Sequence, residues 1–395
     1  MNVLASRVRE TVESLTTAGF PDYTRVYSIG SVGVAVIAEP EAVEWCDHYL
    51  APSMTGSPLG ASTAYGFVVR AIHDRLAWEE LRSAVGGEDS TDSQTYNGTK
   101  IREWKLDEGL YAQQYVTRKS FTITDVERRT LTFVDDCLSD TEWWMEPSRL
   151  VREAATRELE EESNFVFHAA SIALGGKGAA IIGPKRAGKT TLTVAALEYA
   201  RAAYIANDRT YFELESGAPY VRGWPVTAAF GIGTCLSSPT MRALLEDGVS
   251  SRYPQPSLKS RLDLDEFRRR DVAAMMQERV KIELTPLEIG EAFGVPVVAR
   301  NSLDALIFPK LDPACADPEF RVVPPSEAAK LISEQILTCD SAEYRDWLHL
   351  RRASDEVTQQ RASEFVDQLV HSVPAYSVRY WNAASVAQVL RDVLV

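Results

Sequence analysis

The chain has 395 residues, 45% of them hydrophobic and 25% charged, the composition of a globular protein long enough for two separate cores. Its formal net charge of -14 and pI of about 5.0 oppose binding to an extended polyanion, so DNA and RNA are not expected partners. Small phosphorylated ligands stay open, because backbone dipoles, lysines and a bound Mg²⁺ can dominate one pocket of an acidic protein.

The opening MNVLASRVRETVESL lacks the apolar core of a signal peptide, and no apolar run approaches the length of a membrane span. A cytoplasmic location with no membrane partner is the expectation. Cys46, Cys137, Cys235, Cys315 and Cys339 are odd in number and far apart, which predicts buried free thiols rather than a disulfide framework or a CxxC site.

Residues 1–147 read as an α+β domain. YTRVYSIGSVGVAVIAEP predicts a hairpin and EAVEWCDHYL a helix after it, while GLYAQQYVTRKSFTITDVERRTLTFVDD alternates and turns as antiparallel strands do. Between them GGEDSTDSQTYNGTK is polar and rich in turn formers, hence a loop; its Asn97-Gly98-Thr99 matches a glycosylation acceptor by chance in a cytoplasmic chain. Within PSRLVREAATRELEEESN, residues 148–163 predict a connecting helix capped by Ser148, with Arg and Glu on a solvated face.

Residues 164–395 form the second predicted domain. FVFHAASIALGGKGAAIIG reads as a strand, a tight reversal at the Gly-Gly-Lys-Gly turn and a second buried strand. At once follows GPKRAGKT, Gly183 to Thr190, which satisfies G-x-x-x-x-G-K-[ST] between a strand (AAII) and a helix (TTLTVAALEYA). Here Gly183, Pro184, Lys185, Arg186, Ala187 and Gly188 form a phosphate-binding turn whose N–H groups and following helix dipole face phosphate oxygens. Lys189 reaches the β- and γ-phosphates, Thr190 offers its hydroxyl to Mg²⁺, and Thr191 starts the helix; Leu192, Ala195, Ala196 and Tyr199 are spaced to pack inward.

Such a loop needs an acid from a neighbouring strand, and AAYIANDRTYFEL supplies Asp208 at the carboxyl end of a short apolar run, where open α/β sheets bind ligands. Arg209 follows it, and strand alternation aims it to the opposite face, with pairing to Asp208 or stabilisation of a transferring phosphate as the functional alternative. In SLKSRLDLDEFRRRDVAAMMQERVKIEL the cations Arg268, Arg269, Arg270, Arg279 and Lys281 read as a solvated amphipathic helix, with a phosphate-sensing lid as the functional alternative. Arg300, at a strand end, is a candidate phosphate contact. RGWPVTAAFGIGT lacks GxGxxG spacing and reads as a loop beside an acceptor pocket, with Trp224 as a packing surface.

From about His168 to the C-terminus the chain resembles the HPr kinase/phosphorylase superfamily, including HPr-kinase-related proteins of lasso-peptide biosynthesis, on FHAASIAL, GPKRAGKT and IANDR. More distally LTPLEIGEAFGVPVVARNSLDALIFPKLDP and VPAYSVRYWNAASVAQVL look similar to the closing elements of such domains. The former also carries capping-box spacing at Thr285 and Glu288, with Pro286 at the first helical position and LDALIF as a strand. The resemblance implies an α/β P-loop domain with a central mixed sheet flanked by helices, an ATP- and Mg²⁺-dependent kinase acting on an alcohol, and His168 bordering the site.

Two departures stand out. The family pattern prefers Asp-Asp where this chain has Asn207-Asp208, and Asn cannot accept a proton as a carboxylate does. Without a register shift the base is missing; a shift of one residue puts Asp208 there. The loop carries Pro184-Lys185-Arg186 in place of small polar residues, and no segment dedicated to HPr recognition stands out. The expected acceptor is therefore a hydroxyl of a small metabolite or peptide, with the N-terminal domain selecting substrate or mediating homo-oligomer assembly. A regulatory protein serine kinase, a nucleotide-binding or ATPase module without transfer, and a motor or switch NTPase are the alternatives.

Overall fold

In the computed structural model, which describes residues 3–17, 24–59, 64–95, 98–138, 143–247, 281–339, 341 and 344–394, contacts divide the chain into two units. One comprises Met1–Glu162 with Thr338–Gln359, the other Ser163–Leu337 with Gln360–Val395.

In the first unit, α1 (Val3–Thr17) precedes β1 (Thr24–Ile29) and β2 (Val32–Ile37), which pair antiparallel as the expected hairpin. Then come α2 (Pro40–Tyr49), β3 (Thr55–Pro58), β4 (Phe67–His73) and α3 (Arg75–Val85), whose first turn is capped by the Asp74 side chain accepting from Ala77 N–H. The run β5 (Thr91–Gln94), β6 (Lys100–Asp107), β7 (Leu110–Tyr115), β8 (Ser120–Asp125) and β9 (Thr130–Asp135) completes a sheet ordered β3-β1-β2-β4-β9-β8-β7-β6-β5. Only β2–β4 and β4–β9 pair in parallel in that order. Ala5 and Val8 of α1 and Ala77, Trp78 and Leu81 of α3 bury against Trp104, Phe121 and Ile123 of the sheet.

Two expectations for this half are corrected. The polar stretch read as a loop contains β5, because Thr91–Gln94 finds β6 as an antiparallel partner and needs no buried side chain at a sheet edge; Asn97 lies outside the described residues. The segment read as a solvated connector is α4 (Glu146–Glu161), with Leu150, Val151, Ala154, Ala155 and Leu159 buried and contacts to β2, β4 and β9. It begins before Ser148, whose hydroxyl donates to the Met145 carbonyl rather than capping a helix end. Its charges are buried in pairs: Arg157 Nη1 lies 2.7 Å from Glu160 Oε1, and Arg351 Nε donates to Glu160 Oε2 at 3.1 Å.

In the second unit, β10 (Phe165–Phe167) and β11 (Ala169–Leu174) lead through the Gly175-Gly176 reversal to β12 (Lys177–Ile182). α5 (Lys189–Ala195) runs on as a π-helical turn over Ala196–Ala200, before β13 (Ala203–Ala206), β14 (Thr210–Glu215), β15 (Ala218–Gly223) and β16 (Ala228–Gly231). Next are α6 (Ile232–Ser237), α7 (Pro239–Asp247), β17 (Lys281–Leu284), α8 (Pro286–Phe293), β18 (Arg300–Leu311), β19 (Glu319–Val323) and α9 (Pro325–Ser333). α10 (Asp355–Ser372), which enters this unit from Gln360 onward, β20 (Ala375–Tyr380) and α11 (Ala383–Leu394) follow. The capping box at Thr285 and Glu288 forms, and Gly294 closes α8 in the left-handed conformation.

The sheet is mixed, in the order β10-β14-β15-β18-β12-β11-β13, with β20 joining β18 to β19. Both faces of β12 are covered: Ala179 and Ile181 enter a core with Leu192, Phe293 and Leu390, while Ala180 and Ile182 enter another with Phe212, Ile332 and Phe365. An α/β unit with a mixed sheet between helices is what the sequence led us to expect. Trp224 is 2% exposed and belongs to the interior, and the stretch read as a loop after it forms β16, paired with β17, and α6. Arg268, Arg269, Arg270 and Arg279 lie outside the described residues, and Lys281 opens β17. All five cysteines are free; Cys46, Cys235 and Cys315 are buried as expected, but Cys137 is exposed and Cys339 partly so. Among the described residues no helix is long and apolar enough to cross a membrane.

Candidate functional site

Strand direction brings the predicted site residues to one edge of the second unit's sheet. β12 runs parallel to β18 and β18 to β20, while β11 runs antiparallel to both β12 and β13. The carboxyl ends of β12, β13, β18 and β20 therefore meet the amino end of β11. Ala169 pairs with Ile182 and Ser171 with Ala206, so the nearness of His168, the loop after Ile182 and Asp208 is a product of the register.

The loop from Gly183 to Gly188 leaves Pro184, Lys185 and Arg186 exposed and Gly183 buried. Ala187 N–H donates to the Pro184 carbonyl at 3.1 Å, Arg186 has φ 73° and Gly188 φ 103°, so the chain curls before α5 begins at Lys189. Two later strands hold the curl: Leu311 N–H donates to the Ala187 carbonyl at 3.0 Å, and Tyr380 Oη donates to the Gly188 carbonyl at 2.8 Å. Gly188 is needed twice over. Its φ favours glycine, and a Cβ would sit 3.0 Å from Tyr380 Oη and 3.2 Å from Leu311 Cβ.

Lys189 is 8% exposed, and its Nζ donates to the carbonyls of Gly183 at 2.6 Å and Pro184 at 3.3 Å. Burial pulls the ammonium down to about 8, against the negative charge of Asp208 that favours the cation. Thr190 stands half-buried in the first turn of α5, and Thr191 Oγ1 lies 3.4 Å from Thr234 Oγ1 on α6.

Asp208 stands just past β13 with φ 74°, a left-handed conformation that Asp tolerates better than most residues. Its Oδ1 lies 3.6 Å from His168 Nε2, an ion-pair distance rather than a hydrogen bond. Burial pushes its carboxyl up, but His168, Arg209 and Lys281 together outweigh this and hold it at about 2. Its neighbour Asn207 is 2% exposed and its Oδ1 has no hydrogen-bond partner among the described residues. Of the two, Asp208 is the side chain open to solvent, and its carboxylate is ionised.

Among the described residues no group of three or more His, Cys, Asp or Glu side chains could hold a metal alone. A Thr190 hydroxyl and one ionised Asp208 carboxylate, completed by water and phosphate oxygens, are the hard oxygen donors Mg²⁺ prefers, so the residues fit that ion. Arg300 does not belong here. It opens the 12-residue β18 at the opposite end from Leu311, roughly 35 Å away at a strand's rise. There it pairs with Glu213 at 2.6 Å and with Glu215, and lies 3.6 Å from the centre of the Tyr220 ring. Tyr380 and Leu311 went unnoticed in the sequence. Their only signal is their place at the ends of strands that run parallel to β12.

No family model matches the chain, and no curated protein does. Among solved structures it is similar to the Hpr(Ser) kinase/phosphatase from Coxiella burnetii, at 9% identity over 58% of this chain and 87% of that one, with a TM-score of 0.26. A likeness of that degree carries no functional argument, which falls instead to the site's own residues.

Proposed function

We infer that the second unit is an ATP- and Mg²⁺-dependent kinase that moves the γ-phosphate to a hydroxyl of a small molecule or peptide. The observation that carries this is the meeting, at one sheet edge, of a G-x-x-x-x-G-K-T loop with an ionised, solvent-open carboxylate next to a histidine.

Lys189 exchanges its contacts with the Gly183 and Pro184 carbonyls for β- and γ-phosphate oxygens, and the loop N–H groups cradle the rest. Thr190 and Asp208 are the residues that would hold Mg²⁺, which when bound neutralises charge on the phosphates. Asp208 orients the acceptor hydroxyl. It takes the hydroxyl proton as the new O–P bond forms and ADP leaves with the electrons of the broken P–O bond. A carboxyl held at about 2 is a weak base, so this transfer comes late, as a loose phosphoryl transition state allows. His168 positions that carboxylate. The first unit selects the acceptor or mediates assembly.

The experiment is incubation of the whole protein with Mg²⁺ and γ-labelled ATP in a metabolite and peptide library, beside Lys189→Ala and Asp208→Asn. Label on a non-water acceptor, lost in both variants, supports the kinase. Label found only as free phosphate points to an ATPase, and no movement of label to a binding module, a reading that Asn207 in place of a second acid favours.

A further inference from the structure

The first unit contains a cavity of about 730 Å³, within the size range of small-molecule sites. Arg82, Arg102, Arg118 and Lys119 line it with the indoles of Trp78 and Trp104. Glu88 is the one acid among its lining residues. On a chain of net charge -14, a pocket with four cations against one carboxylate is a local reversal of the field.

The cations differ in how far they are engaged. Arg118 lies 3.6 Å from Glu146, and Lys119 3.5 Å from Asp136, loose pairs whose acids sit on other elements. Arg82 lies over the Trp78 ring, 5.4 Å from its centre, and Arg102 faces Asp92 only as a register partner across β5 and β6. Among the described residues, neither Arg82 nor Arg102 has a carboxylate at ion-pair distance. Trp104 Nε1 donates to the Glu88 carbonyl at 3.3 Å, but Trp78 Nε1, on a side chain 7% exposed, has no acceptor among the described residues. The pocket thus carries positive charge beside flat apolar rings.

We propose that this cavity binds a small organic oxyanion, a carboxylate or a phosphate carried on an aromatic or apolar body. The oxyanion sits between the Arg82 and Arg102 guanidinium groups, whose planar forks match carboxylate and phosphate geometry, and the body packs on Trp78 and Trp104. The site is independent of the phosphate-transfer reading, since every lining residue belongs to the first unit.

The test uses the full chain and four probes with one ring system: 1-naphthyl phosphate, 1-naphthoate, neutral 1-naphthol and cationic 1-naphthylmethylamine, followed by tryptophan fluorescence and calorimetry. Both anions are expected to bind saturably and to weaken with salt, at least about tenfold tighter than the neutral and cationic probes. Preference for phosphate or for carboxylate identifies the ligand's source, and either supports the proposal. Arg82→Glu and Arg102→Glu, exposed positions whose exchange leaves the core intact, each weaken both anions about tenfold or more, while Arg102→Lys weakens them less. Unchanged thermal unfolding of these variants shows that the fold is kept. Anion binding persists in Lys189→Ala. Equal binding of naphthol and the anions, indifference to both charge reversals, loss in Lys189→Ala alone, or no saturable signal below about 1 mM each overturns the proposal.

Discussion

His168 Nε2 lies 3.6 Å from Asp208 Oδ1, held there by antiparallel pairing of β11 with β13. The pair joins a histidine to a half-exposed carboxylate that several cations keep ionised. Asp208→Asn is expected to lower phosphate transfer by about 10²- to 10⁴-fold while affinity for ATP measured without Mg²⁺ changes far less, because proton acceptance and a Mg²⁺ ligand are lost and the loop is not. His168→Ala should cost less, since Asp208 remains. Single-turnover transfer beside equilibrium ATP binding separates the two effects; equal loss of both would move the pair's role to nucleotide binding.

The Lys189 ammonium should make nucleotide binding depend on pH. In the ligand-free protein burial holds it at about 8, below its ordinary 10.5, and phosphate oxygens favour the cation. ATP affinity is therefore expected to fall as pH rises through about 8, with a proton taken up on binding near that pH. Calorimetry in buffers of different ionisation enthalpy reads the uptake, and Lys189→Ala abolishes it. For the ligand-free chain the sign is opposite: the unfolded state binds the proton more tightly, so this group's contribution to stability rises between pH 8 and 10.5.

Gly188→Ala places a Cβ 3.0 Å from Tyr380 Oη at φ 103°, with an expected cost of about 1–3 kcal/mol and weaker ATP binding. Tyr380→Phe removes only the hydrogen bond to the Gly188 carbonyl and should cost about 0.5–1.5 kcal/mol. Combined, they should be less than additive, since the phenol oxygen that crowds the new methyl is gone. Urea unfolding of the four proteins measures the coupling.

Arg157 is 1% exposed, 2.7 Å from Glu160 and 3.6 Å from Asp346, and donates to the Tyr344 carbonyl at 2.9 Å. Arg157→Ala leaves Glu160 and Asp346 with less compensation and should destabilise by about 3–5 kcal/mol, read in urea unfolding followed by a first-unit probe. Arg157→Met, which keeps the volume but not the charge, should still lose most of that.

The phosphate loop was legible because its chemistry is local: two glycines, a lysine and a hydroxyl within eight positions, between a strand and a helix whose periods announce themselves. His168 and Asp208 could be named but not joined, since their proximity depends on the β11–β13 register. Arg300 misled because a strand end is visible in sequence, while which end of the sheet it occupies depends on strand direction. α4 misled for a related reason. Its Arg and Glu looked solvated, and the residues that pair with them, Asp346 and Arg351, come nearly two hundred positions later. The strand β5 carries no apolar alternation, so only its partner reveals it.

That distant pairing bears on how the protein is made. Arg157 and Tyr344 are 187 positions apart, yet share one hydrogen bond within the first unit, whose chain leaves at Glu162 and returns at Thr338. The excursion's two ends are drawn together inside the second unit, where Leu337 N–H donates to the Val166 carbonyl at 2.9 Å and Phe167 bridges to Ile336. Once that closure forms, the returning segment no longer searches as a free coil, and the entropy of a long loop is already spent. During synthesis the N-terminal half emerges first but is completed late. Until Thr338–Gln359 leaves the ribosome, Arg157 lacks Asp346 and Glu160 lacks Arg351, so the first unit's charge pairing is incomplete.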